Sequence, residues 1–232
     1  TAAASIAARK EPDDAPHLVY VPEVPLSKEA FLRDIREACN RRGWVVAVVS
    51  EGLRDGQGKP LGAALGEAAV DGFGHRLPGD VAPALAHLVT RELGLRARSE
   101  KPGLLARSSS HHASTVDREI AEGVGRFAAQ QAFAGATDFM AAIRRESNDP
   151  FRASFHGVPL EKTANVERLL PAEYLAPEGN NITEAFRSYV EPLLGGPLRR
   201  YARRQGPEPK PESGVMRPNP AKTALSHRGR NA

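Results

Sequence analysis

The chain is predicted to fold as an α/β protein, on three observations. A short β-rich run, His17–Glu23, precedes an amphipathic segment, Lys28–Arg42, and an almost purely β-forming run, Trp44–Val49, follows. Repeated strand–helix–strand units require crossover connections, which imply parallel pairing with helices covering the sheet. At 232 residues and 41% hydrophobic content, the chain is long enough to bury a sizeable core as one domain with extensions.

The elements follow in order. A helix is expected over Thr1–Lys10. His17–Glu23 is apolar and bounded by prolines, which predicts a buried parallel strand whose carboxyl end lies at Glu23. Ser27 is placed to cap a helix over Lys28–Arg42, where Phe31, Leu32, Ile35 and Cys39 trace one apolar stripe and Gly43 closes the last turn. Trp44–Val49 is expected to be a central strand buried on both faces, with a mobile glycine-rich loop, Glu51–Pro60, beyond it. Asp80 is expected to cap a helix over Val81–Leu93, ended by Gly94, and Leu95–Arg98 to form a short strand. A longer helix, Ser114–Phe133, stops before Gly135. Two further strands, Asp138–Arg144 and Arg152–His156, are followed by a connector from Val158 and a helix over Ile182–Leu194 with Thr183 near its start. From Gly206 the sequence becomes Pro-, Lys-, Arg- and Ser-rich with few apolar residues, too few to offset its ordering entropy. Residues 1–205 are therefore expected to fold, and residues 206–232 to form a disordered tail.

Composition narrows the function. A single cysteine, Cys39, excludes a disulfide framework and a multi-cysteine zinc site. No run is apolar enough to span a bilayer and no signal-peptide pattern opens the sequence, so neither a membrane nor export is expected and the cytoplasm is the default location. The net charge of +4 raises the question of nucleic acid. The cations are interleaved with carboxylates and aromatics make up only 6%, however, so a phosphorylated metabolite is the expected partner.

The stretch Arg96–Ser108 holds Arg96, Arg98, Lys101 and Arg107 around a Pro102-Gly103 turn, leading to serines and His111-His112. Proline and glycine predict a shaped loop here, and guanidinium and ammonium groups on such a loop suit a phosphate. On these residues alone, a solvated basic loop explains the segment at least as well. Glu23 at the end of the first strand lies where open α/β sheets gather ligands, and an ionised carboxylate accepts hydrogen bonds from sugar hydroxyls. A glutamate that merely ends a strand is also common. His111-His112 lacks a third ligand at metal spacing, Ser108-Ser109-Ser110 lacks a nucleophile elbow, and His75 beside Asp71 is better read as ordering a loop. Glu51 and Asp55 have no evident partner for acid–base work.

Five segments in order resemble the sugar-phosphate half of the 6-phosphofructokinase family, nearest its pyrophosphate-dependent and related bacterial branch. They are Tyr20-Val21-Pro22-Glu23-Val24-Pro25, Val48–Asp55, Asp71-Gly72-Phe73-Gly74-His75, Arg98-Ser99-Glu100-Lys101-Pro102-Gly103 leading into Arg107-Ser108, and Val158-Pro159-Leu160-Glu161 with Ala164-Asn165. The resemblance covers the C-terminal part of the family pattern only. The glycine-rich donor loop, the Thr-Ile-Asp segment carrying the catalytic base and the Met-Gly-Arg segment do not occur, so the sequence is expected to be a fragment that starts downstream of the base.

That resemblance implies a Rossmann-like three-layer fold, truncated at its N-terminus. It also implies an intact reaction in which fructose 6-phosphate is phosphorylated at O1 by ATP or pyrophosphate, with Mg²⁺ ligands outside this chain. By resemblance Arg98 and Arg107 contact fructose 6-phosphate, Glu23 contacts the sugar hydroxyls, and Lys101 is a secondary candidate. In such enzymes the residue at the Arg98 position reaches a neighbouring subunit's site, which implies a homodimer or homotetramer. The sequence departs from the pattern at two places: in the cationic signature Leu104 replaces a His or Tyr and Ala106 a usual Gln, and Gly74-His75-Arg76-Leu77-Pro78-Gly79 replaces a more glycine-rich version. Leucine cannot donate a hydrogen bond, so one phosphate contact is lost at Leu104. The alternative expectation is a degenerate, non-catalytic subunit that assembles with or regulates a complete partner.

Overall fold

In the computed structural model, residues 11, 13–62 and 81–196 are described. The expected first helix, the Asp71–His75 segment, the Asp80 cap and the tail lie outside them.

The first strand, β1 (Leu18–Tyr20), organises the chain because its two faces feed two different cores. Side chains alternate across a strand, so Leu18 and Tyr20 face one way while Val19 and Val21 face the other. Leu18 and Tyr20 join a cluster with Phe31, Ile35 and Ala38, and with Leu85 and Leu88. Val19 and Val21 pack with Ile182, Phe186 and Val190. The described chain is thus layered helix, sheet, helix, the three-layer arrangement expected.

Helix α1 (Lys28–Arg42) follows the sequence closely. The Ser27 hydroxyl accepts from the Ala30 N–H at 3.1 Å, and Gly43 takes the left-handed conformation (φ 76°) that ends the helix. Strand β2 (Ala47–Val49) pairs with β1 in parallel, Leu18 opposite Ala47 and Tyr20 opposite Val49. It is shorter and less buried than expected: its residues are half-buried, and Trp44 is 53% exposed. Among the described residues no strand pairs its other edge. The His17 side chain also intervenes, since its Nδ1 accepts the Val46 N–H at 2.9 Å while Trp44 packs edge-on against its ring.

The glycine-rich stretch after β2 is internally bonded. Asp55 Oδ1 accepts from the N–H groups of Gln57 and Lys59, both at 2.9 Å, and fully buried Leu53 anchors the stretch. Helix α2 (Val81–Leu93) buries Val81, Leu85, Leu88 and Val89, the spacing of a helical stripe. Leu95–Arg98 is not a strand. It keeps strand-like alternation, with Leu95 and Ala97 packed on the core and Arg96 and Arg98 outward, but has no ladder partner among the described residues.

The expected loop after Pro102 is instead a short helix, α3 (Gly103–Ser108), in which the Ser108 hydroxyl donates to the Leu104 carbonyl at 2.9 Å. Helix α4 (Thr115–Phe133) starts where Ser114 accepts from the Asp117 N–H at 3.3 Å. It packs on a hairpin of β3 (Phe139–Asn148) and β4 (Phe151–Pro159). This pair is antiparallel, unlike the β1–β2 pair, which is parallel as expected for strand–helix–strand units. The two-residue Asp149-Pro150 link is too short for a crossover and long enough for a hairpin. Strand β4 also runs through Val158 to Pro159, where a connector was expected. The late helix is α5 (Glu184–Val190), continued to Leu194 by a 3₁₀ turn containing Pro192.

Candidate functional site at the carboxyl edge of the sheet

Because β1 and β2 run in parallel, their carboxyl ends open on one edge, and the chain leaves them as Pro22-Glu23 and Ser50-Glu51-Gly52. Gly52 lies against Pro22: a Cβ at Gly52 would sit 3.3 Å from the Pro22 Cβ. The two loops are therefore neighbours. Glu51 in turn forms an ion pair with Lys101, which brings the cationic segment to the same edge.

Of the candidates taken from the sequence, Glu23 and Lys101 are thus gathered at this edge. Glu23 is half-buried, and its Oε1 accepts the backbone N–H of Leu170 at 3.1 Å. Among the described residues no other donor reaches its carboxylate. Arg98 is exposed, with no ion pair among the described residues. Leu104 is 77% exposed. Arg107 lies in α3, and its side chain is outside the described atoms. Asp55 is occupied in closing its own loop. Among the described residues no group of three His, Cys, Asp or Glu side chains could hold a metal ion.

Three participants at this edge were not picked out in the sequence. Asp34, on the buried face of α1 and only 5% exposed, accepts from the Tyr20 hydroxyl and from Asn180 Nδ2 through Oδ2, both at 3.0 Å. Its Oδ1 accepts from Arg33 at 3.0 Å. Asn180 also accepts the Val19 N–H on its carbonyl at 2.9 Å, so it joins β1 by main chain and α1 by side chain. Burial, then the charge and hydrogen bond of Asp34, push the Tyr20 phenol far above its ordinary range, with Arg33 opposing. Burial likewise raises the Cys39 thiol, which makes it a packed side chain rather than a nucleophile. The signal available in the sequence was Asp34 itself, a carboxylate three positions after Phe31 on a buried stripe, with a core tyrosine in need of an acceptor.

No protein-family model matches the chain. It is 42% identical over 195 residues to a pyrophosphate–fructose 6-phosphate 1-phosphotransferase of Xanthomonas campestris, covering 84% of this chain and 46% of that protein. To the enzyme of the same name from Halomonas elongata it is 35% identical over the same shares. Its structure is similar to that of a pyrophosphate-dependent phosphofructokinase from Marinobacter aquaeolei, with a TM-score of 0.67 and 32% identity, over 84% of this chain and 44% of that one. The chain spans about half the length of the curated relatives it matches. Sequence and fold agree: the chain matches about half the length of 6-phosphofructokinase-family proteins, with pyrophosphate-dependent members among those it matches.

Proposed function

We propose that this chain supplies the sugar-phosphate side of a phosphofructokinase that converts fructose 6-phosphate to fructose 1,6-bisphosphate. Pyrophosphate is the favoured donor, because its relatives are named for it; ATP is the alternative. The observation that carries the reading is the Glu51–Lys101 ion pair, which brings a cationic segment to the edge where Glu23 lies, three residues beyond the first strand.

Phosphoryl transfer is largely a matter of positioning and charge stabilisation. In this reading Arg98, Arg107 and Lys101 hold the 6-phosphate, and Glu23 accepts from sugar hydroxyls with the oxygen that Leu170 leaves free. In this reading the catalytic base, and any residues that would hold a Mg²⁺ to neutralise donor-phosphate charge, are other than these. The reading places the enzyme in the cytoplasm; among the described residues no helix is long and apolar enough to cross a membrane.

It further makes the protein a homodimer or homotetramer whose sites straddle an interface. The hairpin and α4 support this, since they leave Phe133 94%, Ile143 51% and Met140 43% exposed, apolar surface that suits a second subunit. A second reading, a non-catalytic subunit working with a complete partner, is favoured by exposed Leu104, which offers no hydrogen bond where the resemblance leads one to expect it.

Two assays on the purified chain test the proposal. Fructose 6-phosphate is expected to bind weakly, and neither pyrophosphate nor ATP to support turnover with magnesium. Robust turnover would contradict the fragment reading. Co-purification with a full-length homologue, and a change in that partner's rate, would favour the second reading.

A further inference from the structure

We infer that Asp34 is a positioning residue for Glu23, acting through Tyr20 and Asn180; its bearing on the sugar rests on the function proposed above. Glu23 leaves β1 three residues after Tyr20, on a loop that has no ladder of its own. Its own backbone bonds are few, Val24 N–H to the Val21 carbonyl at 3.3 Å and Leu26 N–H to the Arg54 carbonyl at 2.9 Å, and side-chain contacts reach it from both sides. Ahead of Glu23, the Tyr20 hydroxyl donates to Asp34 Oδ2 at 3.0 Å. Behind it, Val24 is in contact with Gly179, whose added Cβ would lie 2.9 Å from Val24 Cγ1.

Gly179 has φ 73° and precedes Asn180, whose Nδ2 donates to the same Asp34 oxygen at 3.0 Å. One buried oxygen therefore ties Tyr20, just ahead of the loop, to Asn180, which adjoins the glycine that Val24 packs on. The loop in turn aims Glu23 Oε1 at the Leu170 N–H, 3.1 Å away, which orients the remaining oxygen of the carboxylate. A buried acceptor shared by two donors resists movement of either, because releasing one leaves a polar group unpaired in the interior.

Hydrogen exchange at the Leu170 amide reads the position of Glu23 without any ligand. Wild type should protect that amide, and Glu23→Gln should weaken the protection. Asp34→Asn and the milder Tyr20→Phe should each speed its exchange by about tenfold, the loss expected for a hydrogen bond to a charged group. The Phe127 amide in α4 should change much less. The inference is overturned if Leu170 exchange is unchanged in Tyr20→Phe, or if Phe127 accelerates by the same factor.

Tyr20→Phe keeps the ring and its packing, so it decides the matter should Asp34→Asn not fold. A second titration compares fructose 6-phosphate with inorganic phosphate on the same proteins. If wild type prefers the sugar phosphate, the variants should lose that preference and keep their phosphate affinity. Retention of the preference would overturn the inference. If wild type shows no preference, the proposed function fails, while the exchange result still decides the role of Asp34.

Discussion

Glu51 and Lys101 form an ion pair between the loop that follows β2 and the cationic segment 96–102, although 50 positions separate them in the sequence. Both side chains are about three-fifths exposed, at 63% and 61%. Such a pair contributes on the order of 0–1 kcal/mol to stability, so its weight lies in where it holds the ammonium group.

Glu51→Gln releases that ammonium from a competing anion. Affinity for inorganic phosphate, measured by calorimetric titration, should rise by roughly twofold to fivefold at low salt, the equivalent of such a pair. The gain should shrink as ionic strength increases. Lys101→Ala should lower the affinity instead.

Helix α4 contains two glycines with opposite surroundings. An added Cβ at Gly123 would lie 2.4 Å from the Phe155 ring, whereas one at Gly125 would meet nothing within 4 Å. Gly123→Ala should therefore cost about 1–3 kcal/mol through overpacking against β4. Gly125→Ala should stabilise by about 0.5–1 kcal/mol, the helix preference for alanine over glycine. Urea unfolding of the two variants checks both signs.

The Tyr20 phenol is held neutral in the fold by burial and by Asp34. Its ionisation range is higher folded than unfolded, so the stability it confers is intact below the ordinary phenol range near pH 10 and declines as the pH rises above it. A phenolate absorbance titration should show amplitude that appears only as the chain unfolds. Tyr20→Phe should remove that amplitude.

Ser114 both caps α4 and donates to the Leu193 carbonyl at 2.6 Å, tying the helix to the chain beyond α5. Ser114→Ala should cost about 1–2 kcal/mol, since it removes an N-cap and leaves a carbonyl without its donor. Thermal unfolding measures the loss.

Local signals carried most of the fold. Ser27 and Gly43 bound α1 where a capping serine and a left-handed glycine should, and Gly94 and Gly135 follow the ends of α2 and α4 in the same conformation. What the sequence did not show was set by neighbours. Val46 gives its N–H to the His17 ring while its carbonyl accepts from the His17 and Leu18 N–H groups, and Leu95–Arg98 has strand alternation with no ladder partner among the described residues. The β3–β4 pairing was missed because its direction depends on the length of a two-residue link, not on either strand's composition.

The candidate site divides along the same line. Glu23 was legible as a carboxylate beyond a strand's carboxyl end, but the strand stops at Tyr20, short of the expected Glu23, and the bond from Leu170 joins residues 147 positions apart. Asp34 was not singled out in the sequence. Only the packing of Tyr20 and Asn180 around it shows a buried acceptor.

The central claim is that Glu23 and the cationic segment serve one hexose phosphate. Titration of the chain with fructose 6-phosphate, followed by amide chemical shifts, tests it most directly. Weak, saturable shifts are expected, grouped on Glu23–Val24, Glu51–Gly52 and the non-proline residues of 98–108, and lost in Arg107→Ala. Shifts scattered over unrelated surfaces, or binding that Arg107→Ala leaves intact, would contradict it.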